Sequence, residues 1–221
     1  VKRVDTPELL DEHDAPRADM ERSLRDLQRI NRWLGGVPIY KRLLRYMLPR
    51  GERAVVVDLG AGTADQLDAL DSNVIGIATD INLRHLLYRR ERSRARRVVA
   101  DAQQLPFRAG AVDVVTSAHF FHHFSPDENV TILSEALRVV RRGVAINDTR
   151  RHVVPLLTIL LLSKLRLVGR ITAADGPASV RRGYTVPEAR EIGERSGAAK
   201  VEVVRLFPFR FGLLLWKNRS T

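Results

Sequence analysis

Residues 54–67 read A-V-V-V-D-L-G-A-G-T-A-D-Q-L, and this stretch decides the fold. Ala54–Leu59 is a short apolar run rich in β-branched residues, as in a strand buried on both faces. Gly60 and Gly62 follow at once. Lacking a Cβ, they let the chain turn sharply and let a ligand approach the backbone. The helix that opens next offers free N–H groups at its start. A glycine-rich loop alone is a weak signal, and three carboxylates sharpen it. Asp58 lies two residues before Gly60, Asp80 follows 22 residues after Asp58, and Asp101 another 21 residues on, each ending an apolar run. The carboxyl ends of strands line the ligand crevice of an open α/β sheet, so the three acids are expected to rim one pocket. Asp80 is suited to accept hydrogen bonds from both hydroxyls of a ribose. Each acid also has a plain structural use: a helix cap for Asp80, a turn for Asp101, ordering of the glycine loop for Asp58.

Outward from this core, Val74–Ala78, Arg97–Ala100, Val112–Ser117 and Gly143–Asn147 read as further strands. Helices are expected between them at Asp65–Leu70, Asn82–Ser93 and Asp127–Val140, the last opened by the capping-box pattern Ser125-Pro126-Asp127-Glu128. Such alternation implies parallel strands joined by right-handed crossovers. The ending differs. After a helix opened by Thr185-Val186-Pro187-Glu188, the runs Lys200–Leu206 and Phe209–Trp216 lie too close for a crossover and suit an antiparallel hairpin. Upstream, Leu24, Leu27, Ile30 and Leu34 mark an amphipathic helix stopped by Gly35-Gly36, and Ile39, Leu43, Leu44, Met47 and Leu48 mark a second. The expected organisation is an N-terminal arm and helical cap over residues 1–53, then a sheet domain over 54–221 with an apolar insertion at 150–184.

These motifs resemble those of class I S-adenosylmethionine-dependent methyltransferases. The acid-x-Gly-x-Gly motif is Asp58-Leu59-Gly60-Ala61-Gly62, the ribose acid is Asp80, the adenine-edge motif is Asp101–Phe107 and the fourth-strand motif is Val112–Ala118. The likeness covers Ala54–Trp216, with Ala64 standing where the family often has a third glycine. It implies an α/β, Rossmann-like class I methyltransferase fold with a mostly parallel seven-stranded sheet and an antiparallel C-terminal hairpin. It also implies S-adenosylmethionine as cofactor, held by Asp58, Gly60, Ala61, Gly62, Asp80, Ile81, Asp101, Ala102 and Ser117. A nicotinamide enzyme would need glycine where Asp65 stands. Residues 29–36 and 175–185 are similar to a bacterial subgroup of small-molecule methyltransferases associated with type III polyketide genes. By that likeness the N-terminal helix covers the cofactor, and Arg32 or Asn31 reaches its methionine carboxylate.

Methyl transfer from a sulfonium is an in-line displacement, so the protein chiefly positions donor and acceptor and excludes water. A hydroxyl or activated-carbon acceptor must also lose a proton, which calls for a base. Residues 117–124, S-A-H-F-F-H-H-F, follow the fourth strand and resemble the His-His element of small-molecule methyltransferases, including those of quinone biosynthesis. His122 and His123 are the candidate bases, with a structural capping role as the alternative. Asp148, ending the fifth strand, is a candidate to orient or deprotonate the acceptor, or a plain turn residue. His119, Arg181 and Tyr184 are candidate acceptor contacts. His119, His122 and His123 also have the spacing of metal ligands on a helix, but no acid adjoins them and no metal is expected. Val153–Val168 reads as an apolar helix whose Leu156, Leu157, Leu160 and Leu161 would form a lid over a hydrophobic phenol, quinol or polyketide. Ordinary core, a homodimer contact or a peripheral membrane contact are the alternatives.

Composition narrows the classes. With 221 residues, 44% hydrophobic and 29% charged, the chain suits one large globular domain and is too apolar for disorder. It has no cysteine, which excludes thiolate zinc sites and cysteine nucleophiles, cytosine C5 methylation among them. The net charge of +11 raises nucleic acid or an anionic membrane as partner. Only five of the 37 basic residues are lysine, and such arginine dominance also arises from genome composition. Residues 89–97 carry six arginines, which makes RNA methylation the serious alternative to a small hydrophobic acceptor, and a solvated helix face the plain one. Against RNA stand an aromatic content of 6% and the absence of a Pro-Pro-aromatic motif after the fourth strand. A non-catalytic cofactor-binding or interaction protein is a third reading. The N-terminal residues lack the apolar core of a signal peptide, so cytoplasmic residence is expected.

Overall fold

Val56, Val57, Val114, Val115 and Val144 are fully shielded from solvent, which requires helices on both faces of the strands that carry them. The computed structural model describes residues 1–4, 16–33, 36–88 and 90–218, with side chains described for all of these except 30–33. Seven strands form one sheet: β1 (Ala54–Leu59), β2 (Val74–Asp80), β3 (Arg96–Val99), β4 (Val112–Ala118), β5 (Val140–Thr149), β6 (Lys200–Leu206) and β7 (Arg210–Trp216). Their order is β3-β2-β1-β4-β5-β7-β6. The pairs from β3 to β5 are parallel, whereas β7 runs antiparallel to both β5 and β6. The register sets Asp58 beside Thr116 and, at the far side, Thr149 beside Arg210.

On one face, α5 (Pro126–Val139) and α8 (Val186–Arg195) bury Leu133, Leu137 and Ile192 against Val57, Val115 and Leu213. Both helices start at full capping boxes, on Ser125 with Glu128 and on Thr185 with Glu188. On the other face, α2 (Gly36–Leu44) buries Ile39, Leu43 and Leu44 against Val56, Val114, Ala145 and Leu214. The boundary expected at residue 54 therefore falls inside one packing layer, since α2 helps to form the core. Two short helices, α3 (Asp65–Asp68) and α4 (Leu83–Leu87), complete that face.

Three helices roof the C-terminal edge of the sheet: α1 (Arg17–Trp33), α6 (Val153–Lys164) and α7 (Arg170–Arg182). The buried Asp26 of α1 accepts hydrogen bonds from the Gly169 N–H at 2.8 Å and the Thr172 hydroxyl at 3.1 Å. Its negative charge thus caps the positive N-terminal end of α7 and ties the roof together.

Two stretches depart from expectation. The helix expected over Asn82–Ser93 stops at Leu87. Beyond it, Asp68 takes hydrogen bonds from Ser93 Oγ and Arg94 N, Arg94 binds the carbonyls of Leu70 and Asp71, and Arg97 binds the Leu86 carbonyl. Arg90–Arg92 forms one short 3-10 turn, and these bonds carry the following residues into the start of β3 rather than along a continued α-helix. Conversely, α7 forms through Gly176 and Pro177, a pair that breaks helices in isolation. A Cβ at Gly176 would sit 2.4 Å from Ile159 Cγ1, so the glycine is what lets α6 and α7 pack closely. Tertiary contact here outweighs local propensity.

Candidate active site

The carboxyl ends of the parallel strands and the start of β7 open onto a cavity of about 580 Å³ beneath α1, α6 and α7, within the size range of small-molecule sites. Its first half follows β1 and β2. Gly60 and Gly62 hold left-handed φ values of 60° and 50°, and a Cβ on Gly60 would stand 2.2 Å from Phe120 Cδ2. Ala64 also adopts a left-handed φ of 61°, a conformation that costs a non-glycine residue about 1 kcal/mol. The loop conformation is thus kept without the third glycine. Asp80 closes this half, its Oδ2 accepting the Gly62 N–H at 3.1 Å and its Oδ1 the Asn82 N–H at 2.8 Å. Each carboxylate oxygen retains a second lone pair, the capacity that two ribose hydroxyls require. Ile81 stands beside it, 62% exposed, as an apolar surface for a flat ring.

The three acids do not rim one pocket. Asp80 lines the cavity, but Asp58 and Asp101 are absent from its walls. Asp58 lies beneath the loop, where its Oδ1 accepts the Thr116 hydroxyl at 2.8 Å, and the Tyr40 hydroxyl meets Thr116 at 2.7 Å. Burial pushes its pKa up to about 7, against the Thr116 hydrogen bond, which lowers it. Asp101 is exposed and accepts the Gln103 N–H at 2.8 Å, starting a turn. Ala61 donates its N–H to the Thr79 carbonyl, Ala102 is buried in the core, and the Ser117 hydroxyl donates to the Leu59 carbonyl. None of these three side chains reaches the cavity wall. Arg32, expected at the methionine carboxylate, belongs to the residues whose side chains lie outside those described.

The second half follows β4 and β5. His122 Nδ1 and Asp148 Oδ1 are 2.7 Å apart, and Asp148 also accepts the backbone N–H groups of His122 at 2.9 Å and Thr149 at 2.6 Å. Both residues are almost wholly buried, and the His122 ring reaches the cavity wall. Burial alone raises the Asp148 pKa, but the charge and hydrogen bond of His122, aided by His119 and the Thr149 N–H, prevail and hold it at about 2. His119 leaves β4 with a left-handed φ of 54° and meets the Thr149 hydroxyl at 3.3 Å. Burial, and then the charge of Arg210, depress its pKa to about 3, so it is neutral at physiological pH. His123 lines the cavity next to His122, the ring centroids 4.4 Å apart. Phe121–His123 forms one short 3-10 turn, so the helical ligand spacing of the three histidines does not exist.

Other expected acceptor contacts lie elsewhere. Arg181 is exposed and away from the cavity, and Tyr184 is 1% exposed, donating its hydroxyl to the Phe124 carbonyl at 2.6 Å. Of the expected lid, Leu157, Leu160 and Leu161 face outward, 60%, 41% and 56% exposed. The inner face of α6 is instead Pro155, Thr158, Ile159 and Leu162, on the opposite side of the helix from Leu157, Leu160 and Leu161. Arg210, which no motif flagged, is 4% exposed and lines the same cavity.

Residues 57–146 match the family model described as a methyltransferase domain. Over these residues the chain is similar to methyltransferase domains. The fold is similar to that of a SAM-dependent methyltransferase from Aquifex aeolicus, 20% identical with a TM-score of 0.60 over 80% of this chain and 88% of that one. Magnesium protoporphyrin IX methyltransferase from Synechocystis PCC 6803, solved with bound SAH, is 14% identical with a TM-score of 0.58 over 83% of this chain and 84% of that one. In sequence this chain is 37% identical over 98 residues to tRNA (carboxymethyluridine(34)-5-O)-methyltransferase alkbh8 of Xenopus tropicalis. That match takes in 43% of this chain and 15% of the Xenopus protein. The residues around the loop fit the cofactor: two left-handed glycines for close approach, a carboxylate with free lone pairs for the ribose, and an exposed apolar side chain for the adenine.

Proposed function

We propose that the protein transfers a methyl group from S-adenosylmethionine to a hydroxyl of a small hydrophobic, aromatic acceptor, a phenol, quinol or polyketide. The observation that carries this reading is the His122–Asp148 pair in the wall of a cavity whose apolar lining includes Leu24, Leu27, Phe124, Ile159, Leu162 and Val180. Bound S-adenosylmethionine supplies an electrophilic methyl carbon on a sulfonium. The chain supplies the rest. With Nδ1–H donated to Asp148, the His122 Nε2 carries the basic lone pair and takes the acceptor's hydroxyl proton as the oxygen attacks. Asp148, ionised, fixes that tautomer and stabilises the imidazolium that results. Neutral His119 does not compete for the proton. The apolar inner face of α6 holds the acceptor, and the roof of α1 and α7 keeps water out.

RNA methylation is the second reading, favoured by the similarity to the Xenopus tRNA enzyme. Weighing against it, Arg94 and Arg97 of the basic run are engaged in internal carbonyl bonds. The test supplies isotope-labelled S-adenosylmethionine with two pools, a lipid-phenol extract and total RNA. Label in the organic pool is expected, and label in RNA overturns the acceptor assignment.

A further inference from the structure

Arg210 opens β7 directly beside Thr149, at the inner wall of the cavity. An arginine only 4% exposed normally spends its five N–H donors on carboxylates or carbonyls. Here Nη1 is buried with no hydrogen-bond partner among the described residues. The nearby carboxylate, Asp148, is already occupied by His122 and the Thr149 N–H. Burial lowers the Arg210 pKa to about 10 against the pull of Asp148, so the guanidinium remains charged at neutral pH. A second orphan adjoins it: His119 Nε2 is also buried without a hydrogen-bond partner among the described residues. When the Thr149 hydroxyl donates to Nδ1, Nε2 carries the proton and is a second unmet donor in a residue of the same cavity wall.

A buried cation with an unmet donor is costly unless a ligand meets it. Position decides which ligand. In the sheet β7 lies three strands from β1, about 14 Å at the usual strand spacing, and a fourth strand from Asp80. The glycine loop and the ribose acid are therefore on the opposite side of the cavity, and Arg210 with His119 belongs to the acceptor half, beside His122.

Resting on the methyltransferase reading above, we infer that Arg210 and His119 form an anion-recognition site for the acceptor. The acceptor is a hydroxylated aromatic carboxylic acid, its carboxylate on Arg210 and His119 Nε2 and its hydroxyl toward His122. This narrows a hydrophobic phenol to an acidic one. It also explains a charged residue at the head of the otherwise apolar strand Phe211–Trp216.

The experiment titrates the protein, saturated with S-adenosylhomocysteine, with two ligands that differ only by the carboxylate: 2-hydroxy-6-pentylbenzoate and 3-pentylphenol. The acid is expected to bind at least tenfold more tightly. Arg210→Met should erase that preference and Arg210→Lys should restore part of it, with S-adenosylhomocysteine affinity within twofold throughout. If Arg210→Met does not fold, the wild-type pair decides by itself. Equal affinity of the two ligands for the wild type overturns the inference alone. A tenfold loss of S-adenosylhomocysteine binding in a folded Arg210→Met also overturns it, because the guanidinium would then serve the donor's carboxylate. If neither aromatic binds while S-adenosylhomocysteine does, the small-acceptor reading falls and takes this inference with it.

Discussion

The two halves of the cavity are built by different means. The donor half is a contiguous stretch, residues 60–81, and works through backbone: left-handed glycines, exposed N–H groups and one carboxylate that accepts two of them. The acceptor half works through side chains, His119, His122, Asp148 and Arg210, gathered from 92 residues of chain by three strands. A backbone device leaves a local trace in sequence, because only certain residues tolerate its dihedrals. A side-chain constellation leaves none until the sheet order is known.

The division predicts mutants that damage one half and spare the other. The largest effect is expected from His122→Gln, which keeps a polar group against Asp148 but removes the base. kcat should fall about 10²–10⁴-fold while S-adenosylhomocysteine affinity stays within twofold. Single-turnover kinetics beside calorimetry measure the two separately, and parallel losses would erase the division.

Asp58 tests the same boundary from below. It belongs by sequence to the donor motif but is folded into the core under Thr116 and Tyr40. Its folded pKa is about 7 against the 3.8 of a free aspartate, so between those values the native state holds more protons than the unfolded one. Stability is then fully present below pH 4 and is lost as pH rises toward 7, by about 4 kcal/mol at most. His119, depressed to about 3, acts in the opposite direction over much of that window. The informative quantity is therefore the difference between wild type and Asp58→Asn in urea melts from pH 4 to 8. Relative to wild type, the variant should gain stability steadily up to pH 7 and no further. A flat difference would mean that Asp58 is ionised throughout and sits closer to the ligand than its burial implies.

Legibility followed the same line. The strands themselves, the terminal hairpin, both capping boxes and the glycine loop were readable because each is a local pattern with a dihedral or hydrogen-bonding cause. The His122–Asp148 pair was half readable: both residues stood out, but their union depends on β4 and β5 lying side by side. Arg210 was invisible, since one more arginine among 37 basic residues carries no signal until its burial is known. The arginine run was legible only in part, because Arg94 and Arg97, bound to backbone carbonyls, look in sequence like a solvated or ligand-binding face. α7 was missed for a third reason: Gly176 and Pro177 oppose a helix locally, and only the approach of Ile159 makes one.

Within the donor half, Gly60→Ala should be the harsher change. It forces alanine to a φ of 60° and drives a Cβ against the Phe120 ring. A loss of about 100-fold in S-adenosylhomocysteine affinity is expected, about 2.7 kcal/mol, with the protein still folded by circular dichroism. An unchanged affinity would mean that Phe120 can swing away and that the cradle is looser than its glycines suggest.

Asp80→Ala is the mildest of the set and sharpens the comparison most. The carboxylate has two tasks, holding the Gly62 and Asn82 N–H groups and offering its remaining lone pairs to a ribose. Losing both should weaken S-adenosylhomocysteine binding at least tenfold, about 1.4 kcal/mol. Asp80→Asn separates the tasks: its single carbonyl oxygen can still accept from a backbone N–H, but the amide nitrogen can only donate. If the Asn variant binds as poorly as the Ala variant, the hydroxyl-accepting charge is what matters and Asp80 is a ligand. If the Asn variant recovers wild-type affinity, Asp80 acts by ordering the loop, and the donor half would be backbone alone.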